Sequence, residues 1–211
     1  MAAIFENRID AGKRLADAMG RFAGEQTVVL GLPRGGVPVA REVAAVIGAP
    51  LDVLAVRKLG GPRHPEFAVG AIGESGVRLV DDDAVRATRL GEIELEVVEE
   101  DARLELARRL SLYRGGRAAL DLAGKRALIV DDGVATGASA IVASRVARRL
   151  GAREVVVAVP VAPQGWERKL EAEADWVLAL ATPRDFWAVG RWYADFEQTT
   201  DEEVIGALHG F

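Results

Sequence analysis

Residues 128–139, Leu-Ile-Val-Asp-Asp-Gly-Val-Ala-Thr-Gly-Ala-Ser, constrain this chain more than any other stretch. The apolar run just before the acids, residues 127–130, has the length and β-branched content of a buried strand. It ends on two carboxylates, Asp131 and Asp132, and a short loop holding Gly133, Thr136 and Gly137 follows. An amphipathic helical pattern then covers about residues 138–150. In an α/β sheet, ligands bind just beyond the carboxyl ends of the strands. Carboxylates there accept hydrogen bonds from hydroxyls, and backbone N–H groups of a glycine-bearing loop at a helix N-terminus hold phosphate. A ribose 5-phosphate group needs both. Asp-Gly after a strand also makes an ordinary turn; the full string, with its strand before and helix after, is what separates the two readings.

Around this element helix and strand signals alternate, which predicts an α/β fold with a parallel sheet flanked by helices. Helices are expected over residues 11–22, 37–47 and 81–114, and strands over 27–30, 51–56, 154–159 and 176–180. In the long helix Leu95, Val98, Ala102, Leu106, Leu110 and Tyr113 form an apolar stripe. The acidic run Glu99-Glu100-Asp101 reads as a solvated helix face rather than a metal site. Residues 60–76 hold five Gly and two Pro and read as a loop with a short hairpin around 68–72. A short helix is expected near 166–171, and an aromatic segment over 186–196 precedes a final helix capped by Asp201. With no linker or repeat, residues 1–211 read as a single domain. Its core spans about 25–182, and a small hood is built from 1–24 and 183–211.

Composition narrows the function classes. A net charge of −5 argues against broad nucleic-acid binding. No apolar run approaches membrane-spanning length. The opening residues Met-Ala-Ala-Ile-Phe-Glu lack the cationic start and apolar core of a secretory signal, and cysteine is absent. A cytoplasmic location is the expectation. Four Lys stand against 23 Arg, a bias shared by thermophiles and by GC-rich genomes.

The 128–139 segment resembles the PRPP-binding motif of type I phosphoribosyltransferases, which has an apolar strand, two acids, and a Thr-Gly loop ending in a small hydroxyl residue. Ser139 fills that last place, and Ala138 stands where many members have Gly. The resemblance implies that Asp131 and Asp132 hold the ribose hydroxyls while Gly133, Val134, Ala135, Thr136, Gly137, Ala138 and Ser139 cradle the 5-phosphate. Gly31-Leu32-Pro33-Arg34-Gly35-Gly36, after the first strand, resembles the family's pyrophosphate loop, which gives Arg34, Gly35 and Gly36 that role. Arg57-Lys58 resembles the strand end of adenine and orotate members and makes a cationic clamp, so Arg57, Lys58, Asp131 and Asp132 are the catalytic candidates. Residues 60–76 fall where the family carries a mobile catalytic loop; His64 within it reads as a surface residue. Pro-Arg-Asp-Phe-Trp-Ala-Val-Gly resembles a base-stacking stretch of hypoxanthine-guanine enzymes, pointing to Phe186 with Trp187 beside it. Asp195 lies one residue from where that group places a metal-holding acid.

Two departures bear on the substrate. Ala135 stands where hypoxanthine-guanine members have an Asp, and residues 160–164 read Pro-Val-Ala-Pro-Gln without the Lys that holds a 6-oxo group. The implied activity is Mg2+-dependent transfer of the phosphoribosyl group of PRPP to a nucleobase-like acceptor, with pyrophosphate released. The partners implied are PRPP and that acceptor, with no nucleic acid or membrane; a homodimer and the identity of the base are left open. The alternative is a PRPP- or nucleotide-sensing regulator on the same fold.

Overall fold

The computed structural model describes residues 3–24, 26–61 and 64–210; the side chains of residues 61–67, and with them that of His64, lie outside the description. The Asn7 Oδ1 accepts the N–H groups of Ile9 and Asp10 and opens helix α1 (Arg8–Met19), three residues before the apolar pattern alone places it. Strand β1 (Thr27–Gly31), helix α2 (Gly36–Ile47) and strand β2 (Leu51–Val53) follow. A second group comprises β3 (Val56–Gly61), β4 (His64–Gly73), β5 (Arg78–Val80), α3 (Asp82–Thr88) and α4 (Glu92–Arg114). The chain then returns through β6 (Arg126–Val130), α5 (Ala138–Arg149), β7 (Glu154–Val161), β8 (Trp176–Ala181) and α6 (Asp201–Leu208).

Five strands form a wholly parallel sheet in the order β2-β1-β6-β7-β8. Their apolar runs are buried on both faces, as parallel strands require. Side-chain alternation sends Val29, Leu128, Val130 and Val156 to one face, against Leu15, Val39, Val43, Val204 and Leu208 from α1, α2 and α6. It sends Val28, Leu30, Ile129, Val155 and Val157 to the other, against Val142 and Val146 of α5. From β1 the chain winds outward to β2, and from β6 it winds the opposite way to β7 and β8. The crevice at the carboxyl ends of β1 and β6 is therefore the switch point where α/β folds bind ligands. Both terminal segments also meet beside it, where Phe5 and Ala11 pack with Val161, Trp192 and Tyr193.

Several elements differ from their expected bounds. The strand expected over 51–56 splits. Val53 ends β2, the Ala55 N–H turns to Glu74 Oε1, and Val56 starts a separate antiparallel sheet ordered β3-β4-β5. The apolar run is continuous through this break, so periodicity could not show it. The segment expected as a loop over 60–76 is mostly paired strand, with β3 and β4 joined through register shifts at Leu59/Gly60 and Gly60/Gly61. Its glycines serve close approach: a Cβ on Gly73 would run into Val146 of α5, and one on Gly70 into the Leu79 carbonyl of β5. The helix expected over 81–114 breaks at Arg89, where φ is +54°. Glu99 is not solvated but buried, accepting from Arg78 Nε at 2.6 Å and Arg103 Nη2 at 3.2 Å. Thr200, not Asp201, caps α6, in a reciprocal box with Glu203.

One buried network joins the two sheets. Arg114, at the end of α4, donates to Asp52 Oδ1 (3.2 Å), Glu74 Oε2 (2.9 Å) and the Val53 carbonyl (2.9 Å). Asp52 Oδ2 also takes the Leu120 N–H. The base of the hairpin is thereby fastened to the edge of the parallel sheet. Among the described residues no helix is long and apolar enough to cross a membrane.

Candidate active site

Strand β6 delivers Asp131 and Asp132 to the switch point. Beyond them the chain folds over the end of β7, with the Val134 N–H donating to the Val161 carbonyl at 3.0 Å. A Cβ on Gly133 would lie 2.5 Å from Val189 Cγ1 and 3.0 Å from that carbonyl. Only a glycine lets the loop pass between them. Gly137 takes φ +89°, the left-handed region, and turns the chain into α5 without a side-chain cap. The first N–H groups of α5 are thus left for an external acceptor. The Lys169 Nζ donates to the Thr136 carbonyl at 3.1 Å from outside the loop. A cleft of about 210 Å³ results, lined by Lys58, Asp131, Asp132, the loop from Gly133 to Gly137, Ser139, Ala140 and Val189.

The carboxylates are electrostatically loaded. Burial pushes Asp131 well above the usual carboxylate range and the Asp132 charge adds to this, while Lys58 and Arg8 pull it back. Burial also raises Asp132, against the charge and hydrogen bond of Arg8. The Arg8 Nε donates to Asp132 Oδ2 at 2.8 Å, and both side chains are nearly covered, at 12% and 14% exposure. The Arg8 Nη1 reaches the Glu197 carbonyl at 2.6 Å, and its guanidinium lies 3.9 Å from the Phe196 ring centre. The Tyr193 hydroxyl donates to the Asp132 carbonyl at 2.6 Å. The loop after β1 closes from the other side. A Cβ on Gly35 would overlap the Asp132 carboxylate, and one on Gly36 would lie 2.7 Å from the Val130 carbonyl. The Gly-Gly pair thus brings this backbone against the end of β6.

The remaining expected site residues scatter more widely. Arg57 and Lys58 are neighbours on β3 and so point to opposite faces. Lys58 faces the cleft; Arg57 turns to Glu105 of α4, 3.8 Å away. Arg34 lies 3.9 Å from Asp201, whose Oδ1 also accepts the Tyr113 hydroxyl at 2.6 Å. Phe186 packs half-buried against the cluster of Phe5, Trp192 and Tyr193, and Trp187 is 81% exposed. From that segment it is Val189 that lines the cleft. Asp195 accepts the Glu197 N–H at 3.1 Å and faces a separate groove of about 570 Å³ between α1, α2 and α6. Sequence reading missed Arg8, Tyr193 and Val189. Asn7 as a helix cap was the available sign that Arg8 opens a helix; a lone Arg and Val carry no signal of their own.

Comparison with known proteins identifies the family. Residues 3–192 match the phosphoribosyl transferase domain family. Two Mycobacterium tuberculosis proteins, from strains CDC 1551 and H37Rv, carry a provisional phosphoribosyl transferase name. Each is 52% identical over 205 residues, covering 97% of this chain and 46% of its own length. The chain thus spans about half the length of the curated relatives it matches. The crystal structure of TT1426 from Thermus thermophilus is 46% identical and superposes with a TM-score of 0.79, covering 97% of both chains.

Proposed function

This chain belongs to the phosphoribosyl transferase domain family, and from that premise we propose that it transfers the 5-phosphoribosyl group of PRPP to a nucleobase-like acceptor and releases pyrophosphate. The observation that carries the reading is the junction of β6 and α5. Two desolvated carboxylates stand there beside an uncapped helix N-terminus, with a lysine across the cleft. Such carboxylates are relieved by donors, and the ribose hydroxyls supply them. The backbone N–H groups at the start of α5, with the Thr136 and Ser139 hydroxyls, receive the 5-phosphate. Lys58 faces the same cleft and meets the negative charge of the departing pyrophosphate as the bond to C1 breaks. The chain thus supplies position and charge, not a nucleophile.

Among the described residues no group of three or more acidic or histidine side chains is placed to cage a metal. Magnesium, which is held largely by substrate oxygens and water, would be bound with PRPP and would neutralise pyrophosphate charge. Asp131 and Asp132 are the carboxylates lining the cleft that would be available to it. Screening nucleobases against radiolabelled PRPP, with nucleotide formation as the readout, tests the proposal. Product with at least one base is expected. PRPP binding without turnover of any base would point to a sensor, and no binding at all would overturn the reading.

A further inference from the structure

The loop between β6 and α5 has a backbone choice that its own sequence leaves open. Gly137 sits at φ +89° and ψ −9°, close to the third position of a type II turn at about +80° and 0°. The type I form of such a turn places that residue at about −90° and 0°, and glycine takes either sign of φ at little cost. The two forms differ by a flip of the Thr136–Gly137 peptide. A trans peptide is planar, so its C=O and N–H point in opposite directions. One form turns the Gly137 N–H to the cleft; the other turns the Thr136 carbonyl there. Only the first suits an anion. The N–H groups of Ala135, Thr136 and Gly137 have no acceptor among the described residues, so no bond made by these groups selects between the forms.

The selection comes from Lys169. Its Nζ donates to the Thr136 carbonyl at 3.1 Å, from the side of the loop away from the cleft lining. Holding that carbonyl outward directs the Gly137 N–H inward. The lysine stem runs beside the same residue, since a Cβ on Gly137 would lie 3.8 Å from Lys169 Cδ. Lys169 is exposed, yet its base is fixed. The short turn that carries it, Trp166–Lys169, is seated by Trp166 and by the fully buried Leu170, in the same core cluster as Val134 of the loop. Just beyond, Glu173 is gripped by Arg145 of α5 at 2.6–3.0 Å. Glu167, Glu171 and Glu173 all lie within four residues of Lys169. Among the described residues it pairs with none of them and takes the neutral carbonyl instead. We propose that Lys169 is a positioning residue for the 5-phosphate. It latches the Thr136–Gly137 peptide in the anion-binding orientation without touching the ligand. This role rests on the reading of the loop as a 5-phosphate cradle, and it adds a residue from outside the contiguous motif.

Calorimetry with ribose 5-phosphate tests the latch. Lys169→Met should weaken binding about tenfold, the worth of one charge-assisted hydrogen bond. Its melting temperature should match the wild type, because Lys169 and Thr136 are both exposed. Lys169→Arg keeps donor and charge, and Lys169→Nε-acetyl-lysine keeps an N–H for the carbonyl but loses the charge. Both should stay within about threefold of the wild type, as a neutral hydrogen bond still holds the peptide. An acetyl-lysine variant as weak as Lys169→Met would overturn the role, because the charge would then be acting on the phosphate directly. Wild type and Lys169→Met binding ribose 5-phosphate equally well would overturn it too, and would leave the reading of the cleft standing. No binding by the wild type would overturn that reading, and the latch with it.

Discussion

At Asp132 the side chain, the backbone and the loop opposite are each held by a different part of the chain. Arg8 takes the carboxylate, Tyr193 takes the carbonyl, and Gly35 closes against it. Arg8 is also what holds the Asp132 pKa down against burial. Arg8→Met should therefore move the acid limb of PRPP binding to higher pH and lower affinity. Arg8→Lys keeps a charge but not the fork that reaches Asp132 and Glu197 together, so affinity should fall with a smaller shift of the limb. Calorimetry between pH 5 and 8 reads both, and an unmoved limb in Arg8→Met would contradict the assignment. Asp131 allows a second prediction. Its raised pKa means that the folded state holds a proton more tightly than the unfolded chain. Stability is therefore lost as pH rises from the ordinary carboxylate value of about 4 through the raised one. Asp131→Asn should melt at a higher temperature than the wild type above that window and match it near pH 4, while losing PRPP binding. A lower melting temperature at neutral pH would show that the carboxylate is structurally compensated. Asp131, Asp132 and the Thr-Gly loop were legible because strand, acids, loop and helix are contiguous in sequence. Arg8 and Tyr193 reach the site from far along the chain, and no local pattern marks that.

Among the elements, the β3–β4–β5 sheet departs furthest from its sequence signal. Five glycines and two prolines over 60–76 suggested a loop, yet Gly70 and Gly73 are there because a neighbouring strand and α5 come too close for a side chain. Glycine at a tight approach and glycine in a loop look alike without the partner. The same sheet aims Lys58 at the cleft and Arg57 at α4, a split that follows from strand alternation once the strand is known to run past Val56. The Arg114 network holds this sheet to the core. Arg114→Met would strand Asp52 and Glu74, each about a tenth exposed, without their shared cation. Breaking a buried pair in this way costs about 3–5 kcal/mol. Urea unfolding should show a loss of that size; a loss below about 1 kcal/mol would mean that the network is solvent-screened after all.

For the molecule as a whole, the architecture was legible because parallel strands buried on both faces leave unmistakable apolar runs, as in β1, β6 and β7. Substrate identity is less legible, since the cleft is completed by Val189 from far along the chain. What is absent there is informative about the proposed reaction. Ala135 is exposed in the cleft lining, and the end of β7 gives its Val161 carbonyl to the loop. Sites that hydrogen-bond a group discriminate strongly for it, and at the two places where hypoxanthine-guanine members have an Asp and a Lys this chain has Ala135 and Pro-Val-Ala-Pro-Gln. Hypoxanthine and guanine should therefore be poor acceptors beside other bases in a steady-state comparison of kcat/KM, and efficient use of either would show that base recognition lies elsewhere. The central claim is that the β6–α5 junction binds PRPP, and titration calorimetry of PRPP with magnesium tests it most directly. Binding to the wild type is expected, weakened by at least ~3 kcal/mol when Asp131→Asn and Asp132→Asn are combined, because charge-assisted hydrogen bonds are lost. No detectable heat with the wild type, or undiminished affinity in the double variant, would contradict it.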